Sequence, residues 1–111
     1  MSRPRQLAEP TPPPLDPAFQ DPTRLRIMTM LCALEEGDEI TERRLLELLG
    51  LAAEELQEEL RTLREAGCVT TAEGTRGRIR GTWIGTTRSG RADFRTYVRT
   101  LEAHLVAGDG P

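Results

Sequence analysis

Lysine is absent from this chain: all 15 basic residues are arginines. That bias suggests a GC-rich coding genome, and it leaves arginine as the only permanent cation available for binding. Cysteine is limited to Cys32 and Cys68, far apart and without a CxxC or Cys/His spacing. The spacing gives no support to a metal site, a disulfide or a redox pair, and both are expected as structural thiols. His104 has no Cys or His near it in sequence, which excludes a metal-ligand pattern. Serine is scarce, and no nucleophile–base–carboxylate spacing occurs. No glycine-rich phosphate loop leads from a strand into a helix. An enzyme is therefore not expected, nor is a cofactor. No apolar run approaches the ~18 residues of a membrane span, and the amino terminus lacks a signal-peptide core. A cytoplasmic protein follows as the expectation.

What the chain does contain is unevenly distributed. Six of its eight prolines fall within the first 17 residues, so residues 1–14, with Pro12-Pro13-Pro14, are expected as an extended, solvated tail. Residues 15–107 are expected as a single domain and 108–111 as a flexible end. The formal net charge of -3 conceals a polarity: twelve acidic against six basic residues from Asp21 to Thr70, then seven basic against four acidic from Thr71 onward. Binding follows local potential rather than net charge, so this division matters more than the total.

The hydrophobic periodicity predicts mainly helix. Asp21-Pro22 supplies an N-cap acceptor and a proline at the first helical position. Leu25, Met28, Leu31 and Cys32 then recur at helical spacing, and Glu35-Glu36-Gly37-Asp38 closes that helix. Thr41 caps a short second helix with Leu45, Leu48 and Leu49 facing inward, and Gly50 ends it. After the minimal turn Gly50-Leu51-Ala52 a third helix follows, with Leu56, Leu60 and Leu63 as its apolar stripe. Two helices joined this closely are a helix-turn-helix signature. Gly67 ends the third helix. Cys68 to Thr71 and Gly81 to Thr86 read as two strands joined through a tip at Gly74-Thr75-Arg76-Gly77. A closing helix runs from about Arg88 to Val106.

With these elements in place, the chain resembles the small MarR-like winged-helix regulators of bacteria and archaea. The resemblance spans roughly Leu15 to Leu105. It rests on Leu15-Asp16-Pro17-Ala18-Phe19, Pro22, Arg24-Leu25 and Ile27-Met28, on Leu45 to Leu51, and on Leu56, Leu60, Leu63, Glu65-Ala66-Gly67 and Val69. Thr82-Trp83-Ile84, Thr87 and Gly90-Arg91-Ala92 complete it. It implies a mainly α fold with a small β-hairpin: a winged helix-turn-helix with an added C-terminal helix. It also implies a dimeric transcriptional regulator whose third helix enters the major groove of double-stranded DNA while the hairpin follows the backbone.

The candidate DNA-binding residues are Arg76, Arg78 and Arg80 in the wing, Arg43 and Arg44 flanking it, and Gln57 and Arg61 as base-edge readers. For the wing arginines a solvated tip stands beside phosphate contact as the competing reading, with an acidic protein surface as the lesser one. Against DNA stands the charge of the third helix, where Glu54, Glu55, Glu58 and Glu59 surround the readers. Non-specific DNA affinity amounts to roughly 5 to 8 kcal/mol. Four glutamates near phosphates oppose it by about 1 kcal/mol each before screening. The alternative is a winged helix that binds another protein through those four glutamates. A stripe of Arg88, Arg91, Arg95 and Arg99 marks the closing helix, read either as solvated and locally paired or as a partner for an acidic helix. Phe94, Tyr97, Val98, Leu101 and Leu105 form its apolar face, expected to divide between domain core and homodimer interface.

Overall fold

The computed structural model describes residues 15–108. The expected tail over residues 1–14 lies outside the described residues, as does most of the expected flexible carboxy-terminal end. Asp16 opens a single 3-10 turn over Pro17–Phe19, its Oδ1 accepting from the Ala18 N–H at 2.9 Å. Helix α1 spans Pro22–Cys32. The Asp21 carboxylate caps it by accepting from the backbone N–H groups of Thr23 and Arg24 at 3.0 and 3.1 Å.

A two-residue strand β1, Ile40–Thr41, leads into α2, Glu42–Leu49. Thr41 caps α2 through the Arg44 N–H at 3.1 Å, and Gly50 ends it in the left-handed region at φ 68°. Leu45 and Leu49 are buried, but Leu48 is 41% exposed rather than inward-facing. Helix geometry explains the difference, because Leu45 and Leu49 share a face while Leu48 is turned by roughly 100° from Leu49.

Helix α3 covers Ala53–Glu65 and begins at Ala52 without any side-chain cap. It ends in a double backbone closure: Cys68 N–H donates to Leu63 O and Gly67 N–H to Arg64 O, both at 2.9 Å. This 6→1, 5→2 pattern requires the left-handed backbone found at Gly67, φ 78°. Strands β2, Val69–Arg76, and β3, Ile79–Thr86, form the hairpin. Arg76 pairs with Ile79, so the tip is only Gly77-Arg78, and the expected tip at Gly74–Arg76 is strand instead. A positive φ at Gly77 and none at Arg78 gives the sign pattern of a II′ turn, whose twist matches that of the paired strands. The sheet has order β1-β3-β2, with Ile40 opposite Ile84, so a third short strand extends the expected hairpin.

Helix α4, Arg88–Gly108, is capped by Thr87, whose Oγ1 accepts from the Gly90 N–H at 2.8 Å. The core gathers Ile27, Met28, Leu31, Leu45, Leu56, Leu63 and Ile84, all at most 1% exposed, beneath the three helices and the sheet. Phe19, Phe94 and Tyr97 close its lower end, with Phe19 set edge-on at 5.4 Å from both other rings.

Candidate nucleic-acid interface

Strand alternation decides where the wing arginines point. Residues paired across an antiparallel ladder share a face, and successive residues alternate. Thr71–Ile84, Glu73–Thr82 and Thr75–Arg80 therefore lie on the face that carries core Ile84, toward α3. Ala72–Trp83, Gly74–Gly81 and Arg76–Ile79 lie on the opposite face. Arg80 thus shares a side with α3, and Arg78 occupies the turn.

Arg76 is directed elsewhere. Its Nε donates to Glu39 Oε1 at 3.0 Å, and its guanidinium carbon sits 5.7 Å from the Trp83 ring centroid. Trp83 is itself anchored, its indole N–H donating to Gly74 O at 3.0 Å. Of the three wing arginines, one is engaged with an acid and an aromatic ring, while no described residue forms an ion pair with Arg78 or Arg80.

The glutamates of α3 divide in the same way. Glu59 faces inward and accepts from Arg24 Nη1 at 2.8 Å. Glu58 pairs with Arg61 at 2.5 Å, and Glu65 lies 3.7 Å from the same guanidinium. Hydrogen bonding and charge from Glu58, then the charge of Glu65, raise the Arg61 pKa above its ordinary value. Glu54 and Glu55 remain exposed in the first turn, where a helix dipole favours negative charge. Gln57 is exposed and makes no hydrogen bond to a described residue.

Between α3 and the sheet lies an open cleft of about 490 Å³. Glu42 of α2, Glu54, Gln57, Glu58, Arg61 and Arg64 of α3, and Thr71 and Thr82 of the sheet line it. At the start of α2, Arg44 pairs with Glu47 at 3.2 Å, whereas Arg43 is exposed with no ion-pair partner among the described residues.

The arginine stripe of α4 is not uniform. Arg91 donates from Nε to Thr86 Oγ1 at 3.0 Å and from Nη2 to Leu34 O at 2.5 Å. Longer contacts of 3.4 Å reach Leu31 O and Cys32 O. It therefore satisfies the carbonyls at the end of α1, a role that sequence spacing did not suggest. Arg88 pairs with Glu36 at 3.5 Å, leaving Arg95 and Arg99 exposed. On the neighbouring face, Phe94 and Tyr97 are only 7% and 6% exposed within this one chain, so they are domain core. Leu101 packs half-buried against that core, while Val98 and Leu105 are exposed.

Both cysteines are free thiols, Cys68 buried and Cys32 partly so. Burial pushes both pKa values up, opposed at Cys32 by Arg91 and Arg95 and reinforced at Cys68 by Asp93. No cluster of metal-ligating side chains occurs among the described residues. No described helix is long and apolar enough to cross a membrane.

Residues 23–105 match the sequence profile of the family described as Winged helix DNA-binding domain. No curated protein sequence matches the chain. Among solved structures, a transcriptional regulator homologue from Pyrococcus horikoshii OT3 superposes with a TM-score of 0.73 at 24% identity, covering 84% of this chain and 89% of the other. A possible transcriptional regulator for arsenical resistance gives 0.58 at 24% identity, covering 85% and 93%. Streptococcus pneumoniae FabT, solved in complex with DNA, gives 0.53 at 15% identity, covering 84% and 67%. These likenesses establish the shared fold.

Proposed function

The chain belongs to the winged helix DNA-binding domain family, and from this premise we propose that it is a transcriptional regulator that grips duplex DNA as a homodimer. In this reading α3 lies along the major groove, with Gln57 and Arg61 toward base edges. Arg78 and Arg80 of the wing, with Arg43 at the start of α2, supply attraction to the sugar–phosphate backbone, and Arg44 flanks them with its charge shared by Glu47. Arg76 contributes through the wing's conformation, since Glu39 already takes its charge.

The observation that carries this reading is the disposition of charge around the family's helix-turn-helix. Glu59 is turned inward to Arg24 and Glu58 is tied to Arg61, while Arg43, Arg78 and Arg80 have no acidic partner among the described residues. The same disposition disfavours a protein partner docked on Glu54, Glu55, Glu58 and Glu59, because two of those four carboxylates are already engaged. The apolar edge of α4 at Val98, Leu105 and Val106, 36%, 62% and 71% exposed, supports pairing with a second copy. A cytoplasmic site of action agrees with this role.

Fluorescence anisotropy of a mixed-sequence duplex at low and physiological salt tests the proposal. Affinity should fall steeply as salt rises. Arg78→Ala should weaken binding to all sequences and flatten the salt slope by ~0.9, whereas Gln57→Ala should alter sequence preference. An Arg78→Ala protein that binds as tightly as the wild type removes the wing from the mechanism.

A further inference from the structure

The two outward arginines in the second half of α3 stand in different electrostatic situations. Arg61 is flanked along the helix by Glu58 and Glu65, which take up its charge. Arg64, one step round toward the wing, has no ion pair with any described residue. Its one side-chain hydrogen bond to a described residue crosses to the sheet: Nη1 donates to Thr71 Oγ1 at 3.3 Å. That bond holds the guanidinium over the cleft between α3 and the wing, the cleft that Thr71 and Thr82 also line. It uses one of five N–H donors, so an edge of the fork stays open for a bidentate contact. Because Thr71 Oγ1 accepts from Arg64, its own hydroxyl proton remains available to an acceptor in the same cleft.

We infer that Arg64, held by Thr71, binds a phosphate of the DNA backbone where that backbone crosses the cleft between α3 and the wing. The inference rests on the DNA-binding reading above. It adds to that reading the one guanidinium of α3 whose charge no neighbouring carboxylate neutralises. A phosphate is the ligand that fits: it offers several acceptor oxygens to a planar fork and a hydroxyl, and it carries the charge that the fork lacks. Arg80 lies on the same face of the sheet, nearer the wing tip than Thr82. Glu42, Glu54 and Glu58 line the same cleft, and Arg61 already pairs with Glu58.

Salt-dependent anisotropy titrations on wild type, R64Q, R64K, T71V and R95Q separate the outcomes. R64Q should lower affinity several-fold for every duplex and reduce the slope of log K against log salt by ~0.9, the value of one lost phosphate contact. R64K should recover the slope but only part of the affinity, because an ammonium is a point charge without the bidentate fork. T71V should weaken binding with the slope kept, since the charge stays while its positioning is lost. R95Q removes the same charge from the remote face of α4 and serves as the comparison for a general charge effect. An R64Q protein with wild-type affinity and slope overturns the assignment, as does an R95Q protein that loses as much as R64Q. A folded wild type that binds no duplex even at low salt overturns the DNA reading and this assignment together. Wild-type binding with R64Q unaffected overturns only the assignment.

Discussion

Arg24 and Glu59 face each other across the α1–α3 contact, Nη1 to Oε1 at 2.8 Å, with 20% and 18% of their side chains exposed. The same guanidinium donates from Nε to Ala18 O at 2.7 Å, so one side chain binds the 3-10 turn to the flank of the helix-turn-helix. Arg24→Ala leaves a mostly buried carboxylate without its cation. We expect a loss of about 1.5 to 3 kcal/mol, the range for hydrogen bonds to charged groups. In urea unfolding the midpoint should fall with m unchanged. An unaltered midpoint would show that the pair is electrostatically idle.

Gly90 is irreplaceable for a steric reason. A Cβ added there would sit 2.3 Å from Cys68 O and 2.6 Å from its Cα, both backbone atoms that cannot rotate aside. Gly90→Ala should force α4 away from the β2 junction at a cost of at least 1 to 3 kcal/mol, by the scale of overpacked interiors. For a domain of this size each kcal/mol corresponds to a Tm decrease of roughly 4 to 8 °C. Differential scanning calorimetry gives the answer, and a Tm within 2 °C (about 0.5 kcal/mol by the same conversion) would contradict the close approach.

The cysteines predict an alkaline loss of stability. Both thiols have pKa values raised above the ordinary 9.0 by burial, so the unfolded chain ionises first as pH rises. Over that window the native state binds more protons than the unfolded state, and stability falls with increasing pH. Their contribution should be fully present below pH 9.0 and lost as pH rises through the folded values. Replacing both by alanine should flatten the alkaline limb of a stability-against-pH curve. Thiol reagents at pH 8 should modify Cys68 more slowly than Cys32, following their exposure.

On α4, neighbouring apolar residues should respond in opposite ways. Phe94→Ala opens the aromatic cluster with Phe19 and should cost about 3 to 5 kcal/mol of folding stability. Leu105 is 62% exposed, so Leu105→Glu should leave unfolding nearly unchanged and shift the mass measured by light scattering from dimer to monomer. A monomeric wild type would remove α4 from dimerisation while leaving the Phe94 expectation intact.

Features set by neighbouring residues were the legible ones. The caps at Asp21 and Thr41, the stops at Gly50 and Gly67 and the Leu56–Leu60–Leu63 stripe all stand where local spacing places them. Strand β1 has no signature in the sequence because two residues carry no periodicity; its existence depends on Ile84 and Trp83, more than 40 positions later. The charge pairs were equally hidden. Glu59 and Arg24 are 35 residues apart and Arg76 and Glu39 are 37 apart, so counting charges along one helix leaves Glu59 among the outward acids and Arg76 among the free wing cations. Helical periodicity identified the apolar stripe of α4 but not what covers it. Phe19, carried in by the 3-10 turn, made Phe94 and Tyr97 core, and only the far end of the stripe stays exposed.

The junction at Cys68 has a mechanical meaning. Thr87 donates its N–H to Cys68 O at 3.0 Å and its hydroxyl to Gly67 O, so α4 begins where α3 has just ended. With no room at Gly90 for sliding, the two helices form a bent crank whose long arm, 21 residues at ~1.5 Å each, extends ~30 Å. In a two-fold pair joined along those arms, the angle between the arms sets the separation of the two reading helices. Half-sites one helical turn apart, ~34 Å, then match one arm angle and penalise others. In such a pair, a mutation far out on α4 would alter the preferred operator spacing without touching any residue proposed to meet DNA.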